Sequence, residues 1–532
     1  MGCDRALLPG CLRVTAHGSA EAHRFRGWIA QRLGLHFDDT KLEFLAEVLE
    51  RRADKKGLEL RPYLDRLESA DIDAELQALA PELTVPETYF FRHIDQFHAF
   101  ADVALPQAQT ARGSIRELKI LSAGCASGEE PYSLAMLMRE RGAEFGWDVE
   151  IHALDVNPLM LAKAARGVYS AWALRETPPE TQRRWFKNVG KGFELEQSIR
   201  AAVTFQEINL AQDNAALWAP ETYDIIFCRN VSMYFAPEAA LALVARLTRS
   251  LVPGGHLFLG HAETLRGLSD EYHLCHTHGT FYYQRKSAQN RERGRKYQTK
   301  LDLVSPQASS AQPAAAPAPA VAEPWAKTWL ETVQHASDRI QALTERPTAA
   351  SALRGGLAPR SSTDVGAQLQ LALELLKQER FADALELLGR LPAASEQDPD
   401  VLLLRAALLT HSGNLSAAEQ ASARLLEEDE LNTGAHYLIA LCRESAGDRQ
   451  GAVEHDQTAI YLDAAFAMPR LHLGLMARRA GDWETARREL SHALTLLKRE
   501  DASRVLLFGG GFGREALIAL CRAELDSAGG AR

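Results

Sequence analysis

Cysteine is scarce and shows no pairing pattern. The seven residues Cys3, Cys11, Cys125, Cys228, Cys275, Cys442 and Cys521 form no Cys-x-x-Cys motif. An odd, scattered set excludes a disulfide framework and points to a reducing compartment, the cytoplasm. Basic charge is in deficit: 60 Lys and Arg stand against 70 Asp and Glu, a formal net charge of -10. This argues against a general affinity for nucleic acid or anionic lipid, because both require a basic surface, and leaves only local basic patches open. Long apolar runs are missing as well. No segment reaches the ~18 residues of a membrane span, so no membrane insertion is expected, and the short run Ala6-Leu7-Leu8 is cut by Pro9 before it could serve as a leader. Ala6 also stands where N-myristoylation needs Ser or Thr.

What is present is ordinary soluble protein, 532 residues with 46% hydrophobic and 24% charged content, long enough for several cores. From 115 to 285 short apolar strands at 118–121, 149–154, 202–206, 223–228 and 256–260 alternate with helical stretches, and alternating segments follow around 272–283. This pattern predicts an α/β domain whose parallel, doubly wound sheet ends antiparallel. Ligands of such sheets bind beyond the carboxyl ends of the strands. There the chain reads Ser122-Ala123-Gly124-Cys125-Ala126-Ser127-Gly128-Glu129-Glu130-Pro131. Gly124 and Gly128 permit a sharp turn close to a ligand, and Pro131 suits a first helical turn. Asp155 ends the next strand, where nucleotide-binding folds place the carboxylate that holds ribose hydroxyls. The loop is not Gly-x-Gly-x-x-Gly, and Glu129 and Glu130 would repel a pyrophosphate. They suit a cationic, phosphate-free nucleoside such as S-adenosylmethionine.

Three stretches now converge. Gly128-Glu129-Glu130-Pro131-Tyr132-Ser133, preceded by Thr88-Tyr89-Phe90-Phe91-Arg92 and followed by Phe227-Cys228-Arg229-Asn230-Val231-Ser232-Met233-Tyr234-Phe235, resembles the CheR family of chemoreceptor glutamate methyltransferases over about residues 23–285. The resemblance implies a helical N-terminal domain at 23–80 behind a variable N-terminus, 1–22. It also implies a Rossmann-like S-adenosylmethionine-dependent domain at 81–285 with a small inserted β-subdomain, expected from 193–195 and 202–205. In relatives a basic helix of the first domain faces the receptor. Here Lys41, Arg51, Arg52, Lys55 and Lys56 alternate with Glu43, Glu47, Glu50 and Asp54, which reads equally as solvated i,i+4 pairs. By resemblance, Arg92 and Tyr234 are linked to catalysis, and Thr88, Arg92, Glu130, Asp155, Asn209, Leu210, Arg229 and Asn230 contact the cofactor. Pro86 stands where relatives commonly carry Asn.

The implied chemistry is displacement at a methyl carbon by a carboxylate already ionised at neutral pH, so positioning groups should outnumber acids and bases. Arg92 can fork onto a carboxylate, whether the acceptor's or that of the cofactor's methionine part, and Tyr234 can aim a phenol at the same spot. Metal is not expected. His273, Cys275, His276 and His278 cluster in sequence, but strand alternation sends His276 and His278 one way and Cys275 the other. Cys125 and Cys228 read as packing residues. Two other functions stay open: a cofactor-binding scaffold without turnover, and a methyltransferase for a different acceptor.

The remainder is of another kind. Residues 286–363 are expected to be a linker, shifting to Arg, Gln, Ser, Pro and Ala over 286–324 and rich in Ala and Pro at 311–320, with an apolar seam of Trp329, Val333, Ala336, Ile340 and Leu343 on a short helix. Beyond it Ala384, Ala418, Ala452 and Ala486 recur every 34 residues, as do Ala372, Ala406, Ala440 and Gly474, and Gly413, Gly447 and Gly481. That period predicts an all-α tetratricopeptide solenoid at 364–500, with repeats 365–398, 399–432, 433–466 and 467–500, and a capping segment at 501–532. The first repeat has Glu379 in place of the turn glycine. Such a module is expected to bind a peptide or protein in its groove. Acidic residues outnumber basic ones across it, which favours a basic or neutral ligand or merely a solvated exterior.

Overall fold

The computed structural model describes residues 16–69, 73–141, 146–287, 362–392, 395–510 and 512–529. The chain divides into two compact units, Met1–Pro324 and Trp325–Arg532. The apolar seam at 329–343 and most of the expected linker lie outside the described residues.

In the first unit, helices α1 (Ala16–Leu33), α2 (Leu42–Lys56), α3 (Leu60–Ser69) and α4 (Asp73–Leu83) close on a core that includes Phe25, Trp28, Ile29, Leu33, Leu45, Val48 and Leu49. Their spacing of three and four residues puts them on one face of each helix. The basic residues of α2 are neither a free docking face nor mainly i,i+4 pairs, because α4 supplies their counter-charges. Buried Arg52 meets Glu75 at 2.6 Å, Lys56 meets Glu75 at 2.8 Å, and Arg51 and Lys55 meet Glu82 at 3.1 and 3.4 Å. Helices α5 (Ile94–Ala99) and α6 (Leu105–Ala111) lead into the sheet.

The main sheet has the order β6-β2-β1-β7-β8-β10-β9, from β1 (Glu117–Ala123), β2 (Asp148–Asp155), β6 (Val203–Glu207), β7 (Tyr223–Cys228), β8 (Leu251–Leu259), β9 (Tyr272–Thr277) and β10 (Thr280–Arg285). β6, β2, β1, β7 and β8 run parallel, and β10 then pairs antiparallel with both β8 and β9. Between β1 and β8 come helices α7 (Glu129–Glu140), α8 (Pro158–Arg166), α9 (Pro179–Trp185), α10 (Gln197–Arg200) and α11 (Pro237–Ser250). The small separate sheet consists of β3 (Val168–Tyr169), β5 (Phe193–Leu195) and β4 (Phe186–Asn188). The segment at 202–205 is therefore not part of that insert; it joins the main sheet as the edge strand beside β2, with Val203 opposite Ile151. In the β9–β10 hairpin, His276 stacks on Phe281 at 4.3 Å and His278 pairs with Asp102 at 3.1 Å.

The second unit is a row of helix pairs: α12 (Ser362–Lys377) with α13 (Phe381–Gly389), α14 (Pro399–His411) with α15 (Leu415–Glu428), α16 (Thr433–Ser445) with α17 (Arg449–Leu462), and α18 (Ala467–Arg479) with α19 (Trp483–Leu497). Two further helices follow, α20 (Ala502–Phe508) and α21 (Arg514–Gly529). The periodic alanines are wholly buried where helices cross. At Gly474 a Cβ would lie 2.7 Å from Leu490 Cγ. Gly413, Gly447 and Gly481 turn with φ of +78°, +85° and +78°, and Glu379 takes the same left-handed turn at +57°, a conformation rare outside glycine.

A buried charge triad crosses the third and fourth repeats. His472 lies 2.7 Å from Asp456 and 2.9 Å from Glu444, whose other oxygen accepts from Arg479 at 2.6 Å. Burial alone would push the imidazole down, but the two carboxylates outweigh it and hold it up at about 9. Below about pH 6.5 this imidazole is protonated in both folded and unfolded chains and its pairing contributes in full, until Asp456, which burial raises to about 6, takes up a proton; as pH rises through about 9 the folded imidazole deprotonates and the contribution is lost. The shift is worth on the order of 3 kcal/mol. Thermal melting of the repeat unit is therefore expected to fall between pH 6.5 and 9, and His472→Gln to flatten that slope; an identical slope in the variant contradicts the assignment.

Candidate functional site

The carboxyl ends of the parallel strands bring the sequence-predicted residues to one edge of the sheet. After β1 the chain turns at Gly124, φ +83°, where a Cβ would overlap Val231 Cγ2, and again at Gly128, φ +89°, where one would lie 2.9 Å from Ala164 Cβ. Glycine is required at both by direction and by space. The second turn launches α7, whose first two residues diverge. Glu129 is buried away from the edge, accepting from Ser127 Oγ at 2.8 and 2.9 Å with Lys163 at 3.8 Å. Only Glu130 faces the neighbouring strand ends: it accepts from Ser122 Oγ at 2.8 Å and from Arg229 Nη1 at 3.1 Å. The two acids expected to act together thus do different work, because successive helical residues point about 100° apart.

Arg229, at the end of β7, is buried and links the site together. Its other terminal nitrogen donates to the Arg92 carbonyl, and its guanidinium lies 5.5 Å from the centre of the Phe97 ring. Arg92 itself is flanked by two left-handed residues, Phe91 (φ +56°) and His93 (φ +58°), and its side chain donates to the Glu87 carbonyl at 2.7 Å. Strain of this kind persists only where surroundings over-determine it; here the Phe91 amide donates to Ser133 Oγ at 3.1 Å and the Phe90 amide to the Ala173 carbonyl at 3.0 Å. Thr88 is half-buried at the head of this loop, and Pro86 is exposed.

Asp155 ends β2 with one oxygen accepting from the Ala126 amide and the other from the Asn157 amide, both at 2.8 Å. Burial raises its pKa and these amides oppose the rise. The Ile208 amide donates to the Asp155 carbonyl at 2.9 Å, which brings Asn209 and Leu210 beside it. The Asn209 side chain is occupied: its amide donates to the Arg32 carbonyl of α1 at 2.7 Å and its oxygen accepts from the Ala211 amide at 3.0 Å. Leu210 is buried, with its carbonyl accepting from Arg246 at 2.7 Å. Asn230 follows Arg229 in a left-handed turn at φ +56°. Tyr234 is 38% exposed, and its carbonyl accepts from the His36 amide at 2.8 Å.

The residue that sequence reasoning missed is Glu263. It is 4% exposed, and its carboxylate gathers the amides of Asn230, Val231, Met233 and Gly260 at 2.6–3.2 Å and the Ser232 hydroxyl at 2.8 Å. A single acid thus sets the loop from Asn230 to Tyr234. Its signal in sequence was slight, one acid in Gly260-His261-Ala262-Glu263 beyond the last parallel strand. His93 was missed too. Its ring meets His261 edge-on at 4.1 Å, and burial, with the charges of His261, Arg229 and Arg92, lowers its pKa to about 3. It is neutral at working pH. Cys125 and Cys228 are fully buried and their thiols are pushed well up by burial, so neither is a ready nucleophile.

Comparison with known proteins decides the family. The CheR methyltransferase, SAM binding domain matches residues 86–281. Chemotaxis protein methyltransferase 2 of Vibrio cholerae is 34% identical over 255 residues, which cover 47% of this chain and 88% of that protein. The chain belongs to the CheR methyltransferase family. Chemotaxis protein methyltransferase 1 of Pseudomonas aeruginosa is 30% identical over 50% of this chain and 98% of its own length. A probable biofilm formation methyltransferase, WspC, of Pseudomonas putida is 27% identical over 469 residues, which cover 87% of this chain and 96% of that protein.

This CheR chain is thus an S-adenosylmethionine-dependent protein methyltransferase, and the site's chemistry fits that cofactor. The carboxyls of Glu130 and Asp155 suit an ammonium and ribose hydroxyls. The Nε atoms of Arg92 and Arg229 are buried without a hydrogen-bond partner among the described residues, donors that water or a bound ligand would meet. Glu263→Gln leaves fewer acceptors for the same five donors, each costing about 1–3 kcal/mol if left unmet. S-adenosylhomocysteine binding by this variant is expected to weaken about tenfold, ~1.4 kcal/mol; an unchanged Kd by calorimetry in folded protein contradicts the role.

Proposed function

We propose that the chain transfers the methyl group of S-adenosylmethionine to glutamate side chains on the cytoplasmic domain of chemoreceptors, acting in the cytoplasm, while its helical-repeat unit binds a partner protein. The observation that carries this reading is Arg229. One guanidinium ties the carboxylate assigned to the cofactor, Glu130, to the backbone of Arg92, the arginine assigned both to the cofactor and to catalysis, which supports donor and acceptor sites built as one assembly.

The cofactor supplies an electrophilic methyl carbon on a sulfonium. The remaining tasks fall to the chain. Glu130 holds the ammonium, and Asp155, its orientation set by two amides, holds the ribose. Asn230 and the backbone at Leu210 complete that side with Thr88, Arg229 and Asn209; because the Asn209 side chain already bridges to α1, it acts mainly by placing that backbone. Arg92 forks onto the incoming glutamate carboxylate, and Tyr234 directs its phenol to the same group. An ionised carboxylate that accepts a methyl group releases no proton, so the task left to Arg92 and Tyr234 would be to hold and orient the acceptor. Each methyl ester removes one negative charge from the receptor, a change that acts on signalling through electrostatics. Among the described residues no helix is long and apolar enough to cross a membrane.

Similarity over 87% of the chain to a probable biofilm formation methyltransferase favours a receptor whose output is biofilm formation rather than swimming; the chemistry is the same. With labelled methyl donor and receptor fragments, alkali-labile label is expected on glutamate, and Arg92→Ala is expected to lower kcat by about 100-fold through lost alignment. Absence of label on every receptor fragment contradicts the reading. Deleting residues 286–532 is expected to leave kcat unchanged and raise KM for the receptor, because the repeats act by local concentration; a lowered kcat contradicts that division of labour.

A further inference from the structure

The first helices of the repeats form an inner row, in which α12 touches α14 and α14 touches α16, while the second helices stand outside them. In a solenoid of this kind the inner row leaves one face free for a ligand. Here that face is covered. Leu403 and Leu404 of α14, Gly434, Tyr437 and Leu438 of α16, and Met468 and Leu471 of α18 are all buried. The expected terminal cap accounts for only part of the C-terminal segment: α21 packs on α19, as a cap should, but α20 turns inward to reach α14.

Two side chains anchor α20. The Phe508 ring sits 5.2 Å from Phe466 and 5.9 Å from Tyr437, over Gly434, where a Cβ would come within 2.7 Å of its Cζ. Arg504 pairs with buried Asp463 and lies 4.8 Å from the Phe466 ring centre, and Glu500 joins it at 3.2 Å while accepting from the Ala467 amide at 2.6 Å. Backbone carbonyls are met as well, Phe508 O by the Tyr437 hydroxyl at 3.4 Å and Leu507 O by the His411 ring at 3.0 Å.

These are the features of a docked ligand. A helix of 7 residues does not hold itself in water. It runs into Gly509-Gly510-Gly511-Phe512-Gly513, a connection with few side chains to fix its course. Its anchors stand at i and i+4, as in helix-in-groove recognition, and a buried ion pair contributes specificity more readily than strength. We propose that the inner face of the repeat unit is a helix-binding surface, that α20 is its resident occupant, and that the partner it fits is a short amphipathic helix bearing an arginine and an aromatic residue four positions apart, which takes the place of α20. This rests on reading the repeat unit as a partner-binding module and names its surface and ligand chemistry. The resident helix reduces apparent affinity by the fraction of chains in which the face is closed.

A fluorescent peptide of residues 500–510 tests this on the full chain. Phe508→Ala and Arg504→Glu each remove an anchor of the resident helix and are expected to bind the peptide at least tenfold more tightly than wild type, while a peptide carrying both substitutions binds neither. Independently of any variant, excess isotope-labelled peptide is expected to speed amide exchange across 502–508 of the wild-type chain at least tenfold. Variants shown folded by circular dichroism that bind no more tightly than wild type, or exchange left unchanged by the peptide, overturn the proposal. Receptor methylation is read separately, so failure here leaves that reading standing, and a partner that binds the repeats without displacing α20 overturns only this inference.

Discussion

A buried guanidinium holds the catalytic unit together. Placing Arg229 inside the protein costs several kcal/mol of lost hydration unless its charge is compensated; the carboxylate of Glu130 and the carbonyl of Arg92 meet its two terminal nitrogens, and the Phe97 ring lies 5.5 Å from the guanidinium. Burial lowers the pKa of Arg229 and raises that of Glu130, and each charge opposes the shift of the other. Because the three groups come from the end of β7, the start of α7 and the loop before α5, this single contact sets the spacing between the strand ends and the loop that carries Arg92.

Around that link the backbone is held in conformations it would not choose. Phe91, His93 and Asn230 all lie in the left-handed region, and each stands next to a residue assigned to the site or is one. The strain is borne by hydrogen bonds from outside the loops: Ser133 for Phe91, and Glu263 for Asn230 and the turn toward Tyr234. The helical N-terminal segment adds a further constraint, since the His36 amide donates to the Tyr234 carbonyl and the Ala236 amide to the Gly34 carbonyl, both at 2.8 Å. A reaction that needs no general base requires groups fixed in place, and these contacts supply the fixing.

In the repeat unit the same physics serves recognition. Inner helices as fully buried as α14, α16 and α18 would be expected in the middle of a large core, not in a solenoid with a free groove. Their burial follows from Phe508 and Arg504 finding a glycine-floored slot and a buried aspartate. Helix α20 makes its main contacts with residues far from it in sequence.

Periodicity and local chemistry determined much from sequence alone. A 34-residue spacing of small residues points to stacked helix pairs, alternating strands and helices to a parallel sheet, and glycines between a strand end and a helix to a turn that lets a ligand approach. Glu130, Asp155 and the motif around Arg92 and Tyr234 could be named from sequence as candidates because their chemistry is local. What tertiary structure alone decided was pairing at a distance. It gave α2's basic residues to α4, placed 203–207 at the sheet edge instead of in the small insert, separated Glu129 from Glu130, and recruited Glu263 from beyond β8 to hold a turn 30 residues earlier. It also carried α20 from the expected cap into the groove. A charged side chain's partner depends on which elements the core brings within about 3 Å, and no pattern of neighbours along the chain encodes that distance.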